Sequence, residues 1–103
     1  MNIRIFDSAK LDLLDGYYFY ESQEEGVGEY FLGCLYSDID SLRLYAGIHE
    51  KKFGFYWMLS KRFPYAIYYE KIENQVSVYA IMDCRQNPDS IAQRLIEESN
   101  KIV

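Results

Sequence analysis

FGFYWMLSKRFPYAIYYEKIENQVSVYAIMDCRQNP, residues 53–88, is the stretch that decides the fold. Phe53, Phe55, Trp57 and Leu59 alternate, the run FPYAIYY after Ser60–Lys61 keeps extended character, and Val76, Val78, Ala80 and Met82 recur at every second position. A period of two in aromatic and β-branched residues is the pattern of strands with one face inward. The stretch therefore predicts three consecutive strands in a meander, followed by the start of a helix. Glu73–Asn74–Gln75 is the polar break between the second and third strands, and Asn74 takes positive φ at low cost, so a tight hairpin is expected there. Pro64 has no N–H to donate, which places it at a bulge or strand end rather than inside a fully paired ladder.

Before this stretch, Ile3 and Ile5 mark a short strand ended by Asp7–Ser8, either of which suits a helix N-cap. From Ala9 to about Gln23, Leu11, Leu14, Tyr18 and Tyr17 recur at helical spacing and are expected to pack inward, leaving Lys10, Asp12, Asp15 and Glu21 in water. Gly16 weakens this helix slightly. Glu24–Glu25–Gly26–Val27–Gly28 breaks it and opens a second helix, in which Phe31, Leu35, Ile39 and Leu42 fall at i, i+4, i+8 and i+11 on one stripe. Tyr45–Lys52 reads as a solvated linker and holds the single histidine, His49. After the meander, Asn87–Pro88–Asp89–Ser90 combines an Asn cap, a first-turn Pro and an acid near the positive end of the dipole. Ile91, Leu95 and Ile102 are expected to dock this C-terminal helix, residues 88–103, on the sheet. The order β-α-α-β-β-β-α over residues 1–103 defines one α+β domain, a helical hairpin packed on an antiparallel sheet.

Composition narrows the function. Half of the residues are hydrophobic and the chain holds 11 Tyr, 6 Phe and 1 Trp, so it has a core and an aromatic rim rather than a disordered character. The formal net charge of −5 argues against non-specific binding to phosphate backbones, which needs clustered cation. Direct nucleic-acid binding is not expected. Cys34 and Cys84 have no metal-ligand spacing around them and read as free buried thiols. No leader and no spanning segment is visible, so a cytoplasmic protein without membrane association is expected. No Gly-rich phosphate loop, His/Cys cluster or Ser-centred elbow occurs, and neither a cofactor nor a metal is expected.

The sharpest polar feature is the pairing of Lys61–Arg62 at a strand start with Arg85–Gln86 at the end of the last strand, which the meander brings to one end of the sheet. This is either a small basic spot that contacts a target or ordinary strand-end solvation. Tyr17, Tyr18, Tyr20, Phe55 and Trp57 are side chains of the kind that anchor protein interfaces; the tyrosines are equally readable as core and rim, and Phe55 and Trp57 read rather as core.

Taken together, YYFYESQEEGVGEYF at the helical turn, KRFPYAIYYE and VSVYAIMDCRQNP resemble the RelE/ParE superfamily of toxins from bacterial type II toxin–antitoxin modules, closer to its ParE-like branch. Members carry a Tyr-Glu-x-Gln-x-x-Gly-Leu-Gly-like stretch between the first helices, an Arg-Phe-Pro-Tyr strand and a last strand closing on His-x-x-Arg-x-Pro. Here these correspond to Tyr20–Gly28, Arg62–Tyr65 and Asp83–Pro88. The resemblance implies a bacterial plasmid-stabilization-type toxin, a cognate antitoxin that wraps it, and DNA gyrase as the bound target; homodimers also fall within its scope. Asp83 stands where the family prefers His, and Gln86 where it prefers Arg, with Arg85 one residue earlier. In the ribosome-dependent ribonuclease branch, basic and acid–base groups occupy places that hold Trp57, Leu59, Ala66, Gln86 and Ala92 here. The resemblance therefore implies target binding without catalysis. An mRNA endonuclease in which Lys61, Arg62 and Arg85 supply the charge, and a degenerate member that keeps only protein binding, are the alternatives. The helix at 88–103 is then either an arm that inserts into a target or a cover over the sheet.

Overall fold

The structure, a computed structural model, describes residues 1–101. Its elements are β1 (Asn2–Ile5), α1 (Asp7–Gln23), α2 (Val27–Asp40), the one-turn α3 (Leu42–Tyr45), β2 (Lys51–Lys52), β3 (Phe55–Leu59), β4 (Tyr65–Ile72), β5 (Gln75–Asp83) and α4 (Pro88–Lys101). The three strands expected in residues 53–88 are β3, β4 and β5, paired antiparallel. The whole sheet has the order β1-β5-β4-β3-β2 and is mixed rather than antiparallel, because β1 lies parallel to β5. The helical hairpin separates β1 from the meander, so no tight turn forces the two edges to run oppositely.

The turns are sharper than the sequence suggested. Lys51–Lys52, read as linker, pairs with Phe55 and Tyr56, and the two-residue turn between them is Phe53–Gly54. Both turn residues have positive φ, 54° and 86°, as the hairpin turns that match strand twist require. Phe53 is thus a turn residue held in a region that bulky side chains avoid, and not the first residue of a strand. In the β4–β5 hairpin the positive φ falls on Glu73, at 53°, and not on Asn74. Pro64 sits immediately before β4, as its missing donor demands, with its carbonyl accepting the Cys84 N–H at 2.8 Å.

Each face of the sheet has its own core. Tyr65, Ile67, Tyr69, Val76, Val78 and Ile81 pack under α1 and α2, while Phe55, Ala66, Tyr68, Ala80 and Met82 pack under Leu95 of α4. The apparent single stripe Val76–Val78–Ala80–Met82 is therefore split between the faces. The register shifts between Tyr68 and Tyr69, pairing Tyr68 with Ala80 and Tyr69 with Val78, so Tyr79 is the extra residue of a bulge. One inserted residue reverses the parity of everything after it. Tyr79 fills the space so made by stacking on Phe6 at 4.5 Å and packing against Phe55 at 5.3 Å.

The stripe Phe31–Leu35–Ile39–Leu42 is buried as its spacing dictates. In α1 the phase differs from expectation: Ala9, Leu13, Gly16 and Tyr20 face inward, while Leu11, Leu14 and Tyr18 are exposed. Gly16 explains the choice. A Cβ there would come within 2.5 Å of the Phe31 ring, so the bare backbone is the groove into which Phe31 packs. Asp12 and Ser8, read as solvated and as a cap, turn instead to β5 beyond the end of β1. Ser8 Oγ donates to the Tyr79 carbonyl at 3.0 Å, and the Ile81 N–H donates to Asp12 Oδ2 at 2.9 Å. These side chains satisfy backbone groups that a longer β1 would have paired. Glu21 is not solvated either: its carboxylate accepts the N–H groups of Gly26 and Gly28 and so caps α2. A Cβ at Gly28 would lie 2.7 Å from the Tyr17 carbonyl. The Tyr20–Gly28 motif is thus explained by the close crossing of two helices.

Candidate functional site

On the second face α4 covers β5 and leaves the β3 side open. The result is a groove of about 680 Å³ lined by Lys52, Phe53, Trp57, Leu59, Tyr68, Cys84, Pro88 and Ile91. Sequence places each of these side chains. The alternation of β3 sends Trp57 and Leu59 to this face, the tight turn presents Phe53, and the cap of α4 sets Pro88 and Ile91 along the other wall. That cap is the expected one, with the Asp89 N–H donating to Asn87 Oδ1 at 2.8 Å. Leu59 is 55 % exposed, so the floor of the groove is in contact with solvent. Lys52 lies flat on the Trp57 ring, its Nζ 4.1 Å from the ring centroid, which spends its charge partly on the indole face. Burial raises the Tyr68 hydroxyl above its ordinary pKa, and partial desolvation does the same to the thiol of the otherwise exposed Cys84, helped by Asp83 and opposed by Lys52. Both are neutral near pH 7, and neither is a base there.

The four residues singled out at the end of the sheet share that end but not one surrounding. Lys61 and Arg62 lie with Tyr30, Gly33, Cys34, Ser37 and Asp38 beside α2. The loop they occupy is pinned by buried Asp38, which accepts Ser60 Oγ at 2.6 Å and the Lys61 N–H at 3.3 Å. Arg85 folds back onto Asp83, with Nη2 2.8 Å from Oδ2, and donates to the Tyr20 hydroxyl at 3.3 Å. This bonding holds the guanidinium well above its usual pKa and, despite some burial, holds the Asp83 carboxyl below its own. Asp83, where the resembled family prefers His, thus neutralises the neighbouring cation. Gln86 lines a separate pocket between α1 and α4.

The aromatic candidates divide by burial. Tyr18 is 64 % exposed and Tyr17 half-buried on the outer side of α1, beside Leu14 and Leu11, and Trp57 lines the groove. Tyr20 and Phe55 are core residues, so they support these surfaces from below and do not form them. Ala66, at one of the ribonuclease positions, is buried under the groove. Neither cysteine is buried: Cys34 is intermediate and Cys84 exposed, and both are free. Among the described residues there is no group of three or more His, Cys, Asp or Glu side chains placed to hold a metal ion. Among the described residues no helix is long and apolar enough to cross a membrane. Ile102 lies outside the described residues, and α4 docks through Leu95, Ile91 and a polar clasp. In that clasp Arg94 donates to both oxygens of Asp12 at 2.8 Å and to Glu98 at 3.1 Å. Sequence reading missed the clasp because Asp12 and Arg94 are distant in the chain.

A five-stranded mixed sheet with a helical hairpin on one face and a C-terminal helix on the other is an α+β fold. No protein-family pattern matches the sequence, and no curated protein does. Among solved structures, a chain of the chromosomal ParDE TA system from P. aeruginosa is similar with a TM-score of 0.73 at 15 % identity, over 81 % of this chain and 95 % of that one. At that identity the likeness is one of fold.

Proposed function

We propose that this chain is the toxin of a type II toxin–antitoxin pair, ParE-like, which arrests growth by binding a protein and is neutralised by a cognate antitoxin. The observation that carries the reading is the chemistry of the groove. Cleavage of RNA by its own 2′-hydroxyl requires a base, an acid and positive charge on the phosphate. Here the corresponding wall is built from Trp57, Leu59, Ile91 and Pro88, with two neutral polar groups and one lysine laid on an indole. Such a surface gains free energy by covering aromatic and aliphatic area, as the anchor pockets of protein interfaces do. The fold shared with a chain of a ParDE system supports an antitoxin as one partner. DNA gyrase is the target that the resemblance suggests, and a cytoplasmic site of action goes with it. The outer stripe of α1, with Leu11, Leu14, Tyr17 and Tyr18, is the second surface on which a wrapping partner gains apolar contact.

Inducible expression with and without the adjacent small reading frame tests this. Growth arrest relieved by the second frame, accompanied by a DNA-damage response and intact mRNA, is the expected outcome. Codon-specific mRNA cuts on translating ribosomes would overturn it, and absence of arrest would leave a chain that only binds protein.

A further inference from the structure

The two edges of the sheet are not equally closed. At one, β2 is only two residues long, and Lys51 and Lys52 lie over the rings of Tyr56 and Trp57, with Nζ 4.7 and 4.1 Å from the centroids, which blunts that edge against a further strand. At the other, β1 has a neighbour, β5, on its inner side only. The Asn2 and Phe6 N–H groups donate to the Asn74 and Val78 carbonyls at 2.9 and 3.0 Å, so alternation turns the N–H and C=O groups of Ile3 and Ile5 outward. Among the described residues these outward groups have no hydrogen-bond partner. A pocket of about 410 Å³ is lined by this strand and the first turn of α1, through Ile3, Arg4, Ile5, Phe6, Asp7 and Lys10. Ile3 and Ile5 pack against the core under α1 and α2, while Arg4 lies over the Phe6 ring, its Cζ 4.3 Å from the centroid. Arg4 and Lys10 are exposed and take part in none of the ion pairs among the described residues. With Asp7 as the one acid beside them, this edge is locally cationic on a chain of net charge −5.

We propose that the outer edge of β1 takes up an extended segment of a partner protein as an added antiparallel strand, with an acidic residue opposite Arg4 and an apolar residue on each side of it. The two apolar residues face Ile3 and Ile5, exchange hydrogen bonds with their backbone groups and continue the half-buried face under the helices. The residue between them falls on the face of Arg4, where an opposite charge across the pair is favourable. A second copy of this chain fits less well. Pairing two β1 strands through Ile3 and Ile5 sets Arg4 directly opposite its own counterpart, and like charges in that position repel. The site is at the sheet edge away from the groove and does not depend on the toxin reading.

Titration of the isotope-labelled full chain with the blocked pentapeptide Thr-Val-Glu-Val-Thr, followed by NMR, tests the assignment. Shifts and slowed exchange of the Ile3 and Ile5 amides, saturating in the millimolar range, are expected, with the Leu59 amide at the other edge unmoved. N-methylation of both valines removes the donors that face β1 and should abolish the shifts, while N-methylation of the glutamate, whose N–H faces away, should leave them. A lysine in place of the glutamate should weaken binding about fivefold, the span of one cross-strand charge pair. Arg4→Glu, at an exposed position, should reverse that preference while the amide spectrum of the core is retained. Unmoved Ile3 and Ile5 amides, or equal binding of the valine-methylated peptide, overturn the proposal. Equal affinity for the lysine peptide overturns the choice of an acidic partner. Shifts of the same amides on concentrating the chain without peptide overturn it in favour of a second copy.

Discussion

The two faces of the sheet differ in how they are closed. Under α1 and α2 the space is filled by rings: Tyr20, Phe31, Phe63 and Tyr65 meet edge-on or tilted, with centroids 4.9–5.1 Å apart for the pairs of Tyr20 with Phe63 and of Phe31 with Tyr20, Phe63 and Tyr65. Under α4 one fully buried leucine and an ion-paired clasp hold a helix that covers only part of the face. The first face carries the fold and the second leaves apolar surface accessible. A chain of this size can expose a groove only because the other face is packed so completely.

The comparison breaks most readily at Phe31. Replacing it with Ala removes a fully buried ring from the centre of the aromatic cluster and should cost about 3–5 kcal/mol in chemical denaturation. Gly16→Ala should act on the same contact from the opposite side, costing about 1–3 kcal/mol because Phe31 must move to admit the Cβ. If either change is tolerated with a loss near zero, the hairpin face is not the dominant core.

On the other face, Arg94→Ala leaves buried Glu98 and largely buried Asp12 without their shared cation. Fully buried pairs cost more, but Arg94 is partly exposed, so a loss of about 1–3 kcal/mol is expected. Amide exchange should accelerate in α4 before it does in α2. This bears on the choice between arm and cover for the C-terminal helix, since the clasp ties α4 to α1 and to the Ile81 backbone through Asp12. Faster exchange confined to α4 would mean that it opens separately, as an inserting arm must; a uniform change would mark it as a structural cover.

A smaller, pH-dependent effect is expected at His49, in the segment whose composition predicts a solvated linker. Its Nδ1 meets the hydroxyl of fully buried Tyr69, which also accepts the Gly47 N–H at 3.0 Å. Burial lowers the His49 pKa below its ordinary 6.5. The unfolded chain therefore binds the proton more readily, so His49 contributes stability that is present above about pH 6.5 and is lost as pH falls through the folded value. In the neutral ring with its proton on Nε2, Nδ1 accepts from the Tyr69 hydroxyl, and protonation removes that acceptor. Thermal midpoints should fall between pH 7 and pH 5, and His49→Gln should flatten that slope; an unchanged slope in the variant would remove His49 from the account.

These contrasts also show where sequence was legible. The α2 stripe could be read because its apolar residues lie on one side, and the α4 start because Asn87, Pro88 and Asp89 each favour it by a local mechanism. The phase of α1 could not, because Leu11, Leu14 and Tyr18 recur at helical spacing as well as Leu13, Gly16 and Tyr20 do. What decides between the two sets is a long-range fit, Phe31 against Gly16. The bulge at Tyr79 was hidden for a similar reason, since alternation in number continues through it while alternation in space does not. Of the candidate site, Trp57 and Tyr18 were recognisable as ring residues. The groove itself depends on where α4 stops short, which no local pattern records.

The smallest expected effect on stability is the one that bears most on function. Leu14→Ser and Tyr18→Ser change residues that are 44 % and 64 % exposed on the outer side of α1, so they remove little buried area and should alter unfolding free energy by no more than about 0.5 kcal/mol. In a stripe that exists only for packing within the chain, such changes would cost far more, as Phe31→Ala does. If the stripe is where a wrapping partner lies, the loss appears in association instead. Truncating aromatic anchors at an interface typically costs about 1–2 kcal/mol or more each, which lowers affinity roughly tenfold per anchor. Co-purification of the variant with the product of the adjacent reading frame, beside its melting curve, separates these outcomes. An unchanged melt with partner lost assigns the α1 stripe to recognition. An unchanged melt with partner retained moves recognition to the groove, where Trp57→Ala is the corresponding change.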